Sequence, residues 1–236
     1  MTTLGIIGSG NIGTAVARLA VASGMNVIIA NSRGPQSLQD LVAELGTHAS
    51  AGTVGDAARA DAVVLSIPLL AVKDLPDGLL HDKLVLDTSN YYPSRDGRIP
   101  ELDSGALTTS ELVHSWLGGA RHVKAFNNIL AHHIPVLARQ TGDPDRSALP
   151  VASDDADAKT EAAAILDRLG FDVVDAGPLA DSWRFEPESA GYTPIYLADP
   201  ATRLDRLMSA PAGPTPASEV KAALASATRV NIAERV

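Results

Sequence analysis

A glycine-rich loop close to the N-terminus constrains the fold more than any other feature of the sequence. Residues 8–13 have the sequence Gly-Ser-Gly-Asn-Ile-Gly and lie between a short apolar run and a segment with helical periodicity. In this context a Gly-x-Gly-x-x-Gly pattern indicates the first turn of a dinucleotide-binding βαβ unit. We expect Gly8 to form a tight turn, Gly10 to let the backbone approach a pyrophosphate, and Gly13 to let the helix pack closely against the strand. The alternative is a glycine turn that binds no ligand.

Short apolar segments alternate with helical patterns along about two thirds of the chain. Most of these segments are β-branched and hydrophobic on both faces, which is typical of strands buried inside a parallel sheet. Strands that alternate with helices indicate right-handed βαβ crossovers. The sequence therefore predicts an α/β fold with a Rossmann-type doubly wound parallel sheet and a small C-terminal extension. The predicted strands are residues 4–7, 26–30, 62–67, 84–87, 122–126, 149–152 and 171–175, and the predicted helices are residues 13–23, 37–44, 110–116, 132–139 and 155–169.

The alternation ends at residue 175. Residues 176–200 are rich in Pro, Gly and Ser, and a second Pro-rich stretch at residues 210–216 precedes an amphipathic pattern over residues 217–232. We therefore expect residues 1–176 to form the dinucleotide-binding domain and residues 177–236 to form a small segment for substrate binding or dimerisation. The last helix is expected to dock on the body through one apolar face, with a dimer contact or an active-site lid as the alternatives. This face comprises Val220, Leu224, Ala227 and Val230.

The composition excludes several classes of function. Of the 236 residues, 45% are hydrophobic and 20% are charged, which is expected of a folded globular protein and not of a disordered one. A net charge of −9 and an aromatic content of 4% argue against binding to nucleic acid. The chain has no cysteine, which excludes disulfides, thiolate metal sites and redox chemistry of the chain itself. A redox function therefore requires a bound cofactor.

The sequence also predicts where the protein works and what it does not bind. No apolar run is long enough to cross a bilayer, and the N-terminus lacks the pattern of a secretory signal. We therefore expect a cytoplasmic protein without a membrane partner. No His-x-x-x-His spacing occurs, so no metal site is predicted.

The residues after the second predicted strand indicate which dinucleotide binds. Sites selective for NAD place a carboxylate there, to bind the ribose hydroxyls of the adenosine. This chain has Asn31-Ser32-Arg33 instead. Ser32 can donate a hydrogen bond to a 2′-phosphate, and the guanidinium of Arg33 can bind it with two charge-assisted hydrogen bonds. The segment therefore predicts selectivity for NADP, the alternative being that Arg33 is a solvated surface residue.

Three further segments follow predicted strands, at the edge where an open α/β sheet binds its ligands. They offer hydroxyls, amides and aliphatic groups, which position rings and ribose rather than transfer protons. Such a site suits hydride transfer between two bound cofactors, because alignment and exclusion of water then supply most of the rate. The three segments are Ser66-Ile67-Pro68, Thr88-Ser89-Asn90 and Asn127-Asn128-Ile129.

Groups for acid–base chemistry are few. The Tyr-x-x-x-Lys pair of short-chain reductases is absent, since Tyr91 is followed four residues later by Arg95. His132 and His133 fall in a predicted helix, where neighbouring side chains point about 100° apart, so we do not expect both to address one ligand. Residues 91–95 follow the fourth predicted strand and are interpreted either as a substrate-side loop or as a dimer surface.

Taken together, four segments resemble one known family, the NADPH-dependent coenzyme F-420 reductases. These are the glycine loop, Asn31-Ser32-Arg33, residues 123–127 (Val-Lys-Ala-Phe-Asn) and residues 177–184 (Gly-Pro-Leu-Ala-Asp-Ser-Trp-Arg). The resemblance covers residues 4–194, about four fifths of the chain, and the last segment is the most specific. It implies a Rossmann domain with a small C-terminal part, a homodimer, and reversible hydride transfer between C4 of the nicotinamide and C5 of a deazaflavin.

The resemblance also implies roles for individual residues. Ser9, Asn11 and Ile12 would line the pyrophosphate and the nicotinamide, and Ser32 and Arg33 would hold the 2′-phosphate. The catalytic neighbours of the two facing rings would be Asn127 and Ile129. The border of the deazaflavin pocket would be formed by the segment that contains Leu179, Ser182, Trp183 and Arg184.

Two departures from the family pattern concern the second substrate. Some members have histidine where this chain has Asn127, and the glycine-containing ending after Pro194 is replaced by a Pro-rich stretch. Asn127 also admits a structural interpretation, as a buried amide at a strand end, and Trp183 admits one as a core side chain. Two other functions therefore stay open. One is an NADPH-dependent reductase of a small carbonyl or imine that uses Tyr91, Tyr92 or Tyr192 as proton donor, and the other is a non-catalytic NADPH sensor.

Overall fold

A parallel six-stranded sheet forms the centre of the protein, whose residues 2–234 are described by a computed structural model. The described residues form eight strands, the first six of which make up this sheet. They are β1 (Thr3–Ile7), β2 (Asn26–Ala30), β3 (Ala49–Ala51), β4 (Ala62–Leu65), β5 (Leu84–Asp87), β6 (Arg121–Lys124), β7 (Ala148–Val151) and β8 (Asp172–Asp175). The order across the main sheet is β3-β2-β1-β4-β5-β6, with every neighbouring pair parallel. The order reverses between β1 and β4, which is the Rossmann arrangement. The predicted fold class is confirmed.

Helices and short 3₁₀ segments connect the strands. The α-helices are α1 (Asn11–Ala22), α2 (Gln39–Leu45), α3 (Val54–Ala58), α4 (Pro93–Asp96), α5 (Pro100–Asp103), α6 (Thr109–Trp116), α7 (Ile134–Leu137), α8 (Ala156–Arg168) and α9 (Ala217–Ser226). The 3₁₀ segments are Pro35–Leu38, Leu69–Asp74, Leu179–Phe185, Thr193–Tyr196, Leu204–Ser209 and Ile232–Glu234. None of the helices between residues 2 and 234 combines the length and the hydrophobicity that crossing a membrane requires.

Both faces of the main sheet are covered. In β4, Ala62 and Val64 point into a core formed with α1 and α8, whereas Val63 and Leu65 point into a second core formed with α3 and α6. A strand that is buried on both faces needs apolar residues at every position. This is why the strands appear in the sequence as continuous hydrophobic runs without alternation.

Strands β7 and β8 form a separate parallel pair beside the main sheet. The pair is joined to β6 by a short antiparallel bridge, in which the backbone N–H of Lys124 donates to Ala152 O at 2.9 Å. Helix α9 docks on this pair through Val220 and Leu224, which share a small core with Val174 and Phe185. Elements on both sides of residue 176 therefore share one core, and the domain boundary placed there stays a prediction.

Two predicted helices differ from the structure, and one short strand was not predicted. The last helix ends at Ser226 rather than at residue 232. The helix expected over residues 132–139 is reduced to the single turn of α7, which begins at Ile134. Strand β3 was not predicted, because its sequence Ala-Ser-Ala is too short and too weakly hydrophobic to be recognised.

A buried ion pair connects the ends of β5 and β6. Lys124 Nζ donates to Asp87 Oδ2 at 3.0 Å and also to Ser89 O, and the side chains of Asp87 and Lys124 are fully buried. His122 Nε2 lies 3.3 Å from the same carboxylate oxygen. Burial alone would raise the pKa of Asp87, but the charge of Lys124 and the proximity of His122 hold that pKa well below its usual range. The pair fixes the start of the segment that leaves β5.

Replacing Lys124 by methionine should leave the carboxylate of Asp87 buried without a counter-charge. We expect Lys124→Met to lower the free energy of unfolding at neutral pH by about 3–5 kcal/mol, measured by urea denaturation. The difference from the wild type should narrow as the pH falls below the ordinary carboxyl pKa of about 3.9. A group with a depressed pKa in the folded state stabilises that state above this pH and loses the contribution on acidification.

The double variant Asp87→Asn/Lys124→Met is the control, because it removes both charges and should recover much of the lost stability. Equal destabilisation by the single and double variants would contradict the assigned ion pair.

Candidate active site

A cleft runs along the carboxyl ends of the strands, beside the point where the strand order reverses. Its two halves have volumes of about 540 and 340 Å³ and share Gly10, Ser66, Ile67 and Pro68. The larger half is lined also by residues that follow β1 and β2, and we name it the β2 half. The smaller is lined also by residues that follow β5 and β6, and we name it the β5 half. This edge is where open α/β sheets bind ligands.

The glycine loop lies where the two halves meet. Gly8 has a φ of +115°, and a Cβ atom on Gly13 would lie 2.0 Å from Gly8 O, so only glycine lets α1 begin this close to β1. No atom lies within 4 Å of where a Cβ of Gly10 would be. Helix α1 has no side-chain cap at Gly10 and no acidic residue in its first turn. Its first amides are therefore available to an anion, with the positive end of the helix dipole behind them.

The segment after β2 is attached to the glycine loop through one side chain. Asn31 Nδ2 donates to Ser9 Oγ at 3.0 Å, and Asn31 Oδ1 accepts from the backbone N–H of Arg33 at 2.9 Å. Ser32 and Arg33 are exposed and line the β2 half. Within residues 2–234 the guanidinium of Arg33 forms no hydrogen bond or ion pair with the protein. Asn31 therefore positions the loop, and Arg33 remains available for a phosphate.

The β5 half combines aliphatic walls with an amide network. Asn90 Nδ2 donates to Asn127 O at 2.7 Å, and Asn127 Nδ2 donates to Asn90 Oδ1 at 3.1 Å and to Phe185 O at 2.9 Å. These bonds connect the segments that follow β5 and β6. The rest of the predicted site that reaches this half is Asn11, Ile12, Ser66, Ile67, Pro68, Thr88, Ser89 and Ile129. The structure thus brings together the predicted residues from all three strand ends.

Two buried polar atoms in this half have no partner within the described chain. They are Ser89 Oγ and Asn127 Oδ1. Between β6 and Asn127 lies Phe126, a buried residue with a φ of +59°, which is uncommon for an aromatic side chain. Strained backbone of this kind is concentrated at functional sites. This conformation could not be predicted, because a phenylalanine at the end of an apolar run is typical of an ordinary strand residue.

Two tyrosines and an arginine complete the polar wall of the β5 half. The hydroxyl oxygens of Tyr92 and Tyr192 lie 2.5 Å apart, and both residues line the cleft with Arg95. Tyr91 does not belong to this wall. Its hydroxyl is directed away from the cleft and donates to Gly97 O at 3.0 Å, and the pKa of Tyr91 is raised, first by burial. Tyr92 and Arg95 thus lie where a substrate-side loop would place them, and the interpretation of residues 91–95 as a dimer surface stays a prediction.

A loop from the C-terminal segment reaches the mouth of the β5 half. Its ends are joined by a bridge between Leu197 and Ala212, and Met208, which is 73% exposed, lines the cleft. His132 Nε2 and His133 Nε2 lie 3.0 and 2.8 Å from Ala210 O. The expected divergence of the two rings is not observed, because the helix begins only after them and both rings converge on one backbone carbonyl. The expectation that they do not share one small ligand stays a prediction. The two histidines anchor the loop.

The segment predicted to border the deazaflavin pocket lies outside the cleft lining. Leu179 and Ser182 are buried, and the carbonyl of Leu179 accepts from Thr108 Oγ1 at 3.0 Å. Trp183 lies between the guanidinium groups of Arg184 and Arg229, at 5.3 and 5.1 Å from its ring centre. The next residue along the chain, Phe185, contacts the site through its backbone oxygen, which accepts from Asn127 Nδ2 at 2.9 Å. A direct contact of these four residues with substrate stays a prediction that their placement does not support.

The residues present fit NADP(H). The open space above Gly10 and the amides that begin α1 can bind a pyrophosphate. The unpaired guanidinium of Arg33 can bind the third phosphate. The unpartnered Ser89 Oγ and Asn127 Oδ1 offer hydrogen bonds at the other end. By contrast, no group of three or more His, Asp or Glu side chains within residues 2–234 is arranged to hold a metal ion.

Comparison with known proteins agrees with this geometry. Residues 3–91 match a family described as "NADP oxidoreductase coenzyme F420-dependent", a range that includes the glycine loop, residues 31–33 and two of the three strand-end segments. The predicted enzyme class is confirmed, and the protein is an NADP-dependent oxidoreductase. No curated protein matches the chain.

Solved structures extend the comparison to most of the chain. SMa0349, a hypothetical protein of Sinorhizobium meliloti, is 34% identical, with 77% of this chain and 88% of that one covered and a TM-score of 0.67. The chain belongs to the same family as SMa0349. A protein of Arthrobacter sp. FB24, provisionally assigned as an F-420-dependent NADP reductase, is 24% identical over 77% of this chain and 87% of its own, with a TM-score of 0.63.

An imine reductase of Aspergillus terreus, solved with NADPH4 and dibenz[c,e]azepine, shares the fold. It is 19% identical, with 76% of this chain and 56% of that one covered and a TM-score of 0.54.

Replacing Arg33 by alanine should weaken binding of NADPH and leave binding of NADH almost unchanged. A hydrogen bond to a charged group contributes about 1.5–3 kcal/mol, so we expect the Kd for NADPH to rise about 10- to 150-fold. Isothermal titration of both nucleotides measures this. Arg59→Ala is the matched control, because it removes the same charge from an exposed arginine outside the cleft. An equal loss of affinity for NADPH and NADH in Arg33→Ala would contradict the role in binding the 2′-phosphate.

Proposed function

We propose that the protein transfers hydride between NADP(H) and a second planar cofactor, the deazaflavin coenzyme F-420. The observation that carries the proposal is the lining of the β5 half. Its walls are mainly aliphatic and amide groups, together with the hydroxyls of Tyr92 and Tyr192, and Arg95 is the one charged side chain among the described lining residues. Such a surface can hold two facing rings and exclude water. The F-420-dependent family matched by residues 3–91 supports the same acceptor.

In this proposal the β2 half and the glycine loop bind the nucleotide. The amides that begin α1 bind the pyrophosphate, and Ser32 and Arg33 bind the 2′-phosphate that distinguishes NADP from NAD. Asn31 maintains the distance between these two sites through its bonds to Ser9 and Arg33. Bound NADPH supplies the hydride.

The β5 half aligns the two reactants. Ile12 and Ile129 are the aliphatic neighbours of the rings, and Asn127, locked by Asn90 and Phe185 O, fixes the position of the nicotinamide edge. Holding the reacting carbons about 3–3.5 Å apart is the main contribution that such a site can make to the rate. Arg95, at the same wall, offers a positive charge to an acidic part of the acceptor.

A small carbonyl or imine is the second candidate acceptor. It is favoured by the two tyrosine hydroxyls in the β5 half, since reduction of such a substrate requires a proton donor as well as a hydride.

The assay that separates these functions mixes the protein with NADPH and oxidised F-420 and follows the absorbance of both. We expect F-420 to be reduced in proportion to the NADPH oxidised. The Arg33→Ala variant should reach the wild-type rate of F-420 reduction only when the NADPH concentration is raised. The control is NADH at the same concentration, which should support little turnover.

Absence of F-420 reduction across the pH range, with NADPH bound, would overturn the F-420 assignment. Turnover with a carbonyl or imine panel would then establish the second candidate. Tight NADPH binding without any acceptor would identify a sensor.

A further inference from the structure

We infer that Tyr92 and Tyr192 together form the proton donor of the reaction, delivering a proton to the acceptor as it receives hydride. Their hydroxyl oxygens are 2.5 Å apart, and both residues line the β5 half of the cleft. At this distance one hydroxyl donates its hydrogen to the other. The inference rests on the hydride transfer proposed above and applies to either acceptor.

The pair is assembled from distant parts of the chain. Tyr92 immediately precedes α4, after the end of β5, and Tyr192 immediately precedes the 3₁₀ segment Thr193–Tyr196. Asn90 Nδ2 lies 3.4 Å from the hydroxyl oxygen of Tyr192 and donates to Asn127 O at 2.7 Å. The tyrosine pair is therefore linked through Asn90 to Asn127, the residue proposed to position the nicotinamide.

A positive charge lies next to the pair. The guanidinium carbon of Arg95 is 4.9 Å from the ring centre of Tyr92, and the same guanidinium donates to Asn90 O at 2.6 Å. Arg95 is held in place by Asp96, whose carboxylate accepts two hydrogen bonds at 2.8 Å and neutralises part of the charge. Arg95 therefore holds the ring of Tyr92 beside Asn90.

The reaction transfers a hydride and a proton to the acceptor. Hydride leaves C4 of the nicotinamide with its electron pair and forms a C–H bond on the acceptor, so NADPH is oxidised and the acceptor is reduced. The double bond at the carbon that receives hydride breaks, and its electron pair moves to the oxygen or nitrogen of the C=O or C=N group, or through the conjugated ring to a nitrogen. The O–H bond of one tyrosine breaks, its proton bonds to this oxygen or nitrogen, and the electron pair of the O–H bond stays on the phenolate. The second hydroxyl passes its proton to this phenolate, and solvent replaces that proton. NADPH, acceptor and one proton thus give NADP⁺ and the reduced acceptor.

The chain has four tyrosines, and the other two serve as internal controls. The hydroxyls of Tyr91 and Tyr196 donate to Gly97 O at 3.0 Å and Ala148 O at 2.9 Å, and neither residue lines the cleft. Burial is the main cause that raises the pKa of both. Their loss should affect stability without affecting proton transfer.

The first test compares single-turnover reduction of the acceptor by Tyr92→Phe, Tyr192→Phe, the double variant and Tyr91→Phe, each saturated with NADPH. General acid catalysis typically contributes 10²–10⁴-fold, so we expect a loss of about 100-fold or more in each cleft variant. The double variant should lose little more than either single one, because the two groups act as one unit. The Kd for NADPH should not change, and Tyr91→Phe should keep the wild-type rate even if its Tm falls.

The second test requires no turnover. Protein labelled with ¹³C at the Cζ of tyrosine gives one resonance per residue, assigned from the Tyr→Phe variants. We expect Tyr92→Phe to shift the resonance of Tyr192 and to leave those of Tyr91 and Tyr196 in place. Addition of NADP⁺ and oxidised F-420 should shift the resonances of Tyr92 and Tyr192 selectively.

Failure of this inference is distinguishable from failure of the proposed function. Wild-type protein that does not reduce F-420 refutes the acceptor, and the ratio of variant to wild-type rate is then measured with the carbonyl or imine that is reduced. Wild-type rates in Tyr92→Phe and Tyr192→Phe would overturn the inference with any acceptor. An unchanged Tyr192 resonance in Tyr92→Phe would overturn it without any acceptor.

Discussion

The close approach of α1 to the end of β1 is the constraint on which the rest of the site depends. A single methyl group on Gly13 would collide with Gly8 O, so the helix can begin at Asn11 only because the side chain is absent. This contact directs the first amides of α1 into the cleft, next to the β4 end at Ser66. The reversal of strand order between β1 and β4 opens the cleft at the same point. Nucleotide binding is therefore determined by backbone geometry before any charged side chain contributes.

The distribution of charge follows from this arrangement. The protein carries a net charge of −9 and binds an anionic dinucleotide, so its long-range field opposes binding. Local features must overcome that field. The structure supplies the α1 N-terminus, whose first turn contains no acidic residue, and Arg33, whose guanidinium forms no ion pair within residues 2–234. The buried ion pair of Asp87 and Lys124 has a different role. Asp87 and Lys124 lie directly below the segment that lines the β5 half, but they neutralise one another and stiffen that segment without exposing charge to the nicotinamide site.

The fold could be predicted from the sequence because its signals are local. The glycine loop, the apolar runs and the helical periods lie within stretches of about ten residues, and the strands they predict agree closely with the observed ones. The strand-end residues 66–68 and 88–90 could be predicted for the same reason, since parallel strands bring their carboxyl ends to one edge. The Tyr92–Tyr192 contact could not, because 100 residues separate its partners and neither residue has a local pattern that distinguishes it. The same holds for Met208 and for the shared contact of the two histidines with Ala210 O, which depends on a helix that begins two residues later than its periodicity suggests.

The segment around Trp183 shows why a sequence resemblance and a site need not coincide. Residues 177–184 are the most specific of the four family-like segments, yet the two residues that follow them, Phe185 and Glu186, hold other parts of the protein. The carboxylate of Glu186 accepts from the backbone N–H of Thr109 at 2.9 Å, at the start of α6, and Phe185 O accepts from Asn127. Asn127 is in turn bonded to Asn90, which contacts Tyr192. A substitution in this segment would therefore affect the acceptor site indirectly, by displacing Asn127 and the tyrosine pair. In structural terms these residues support the wall of the β5 half.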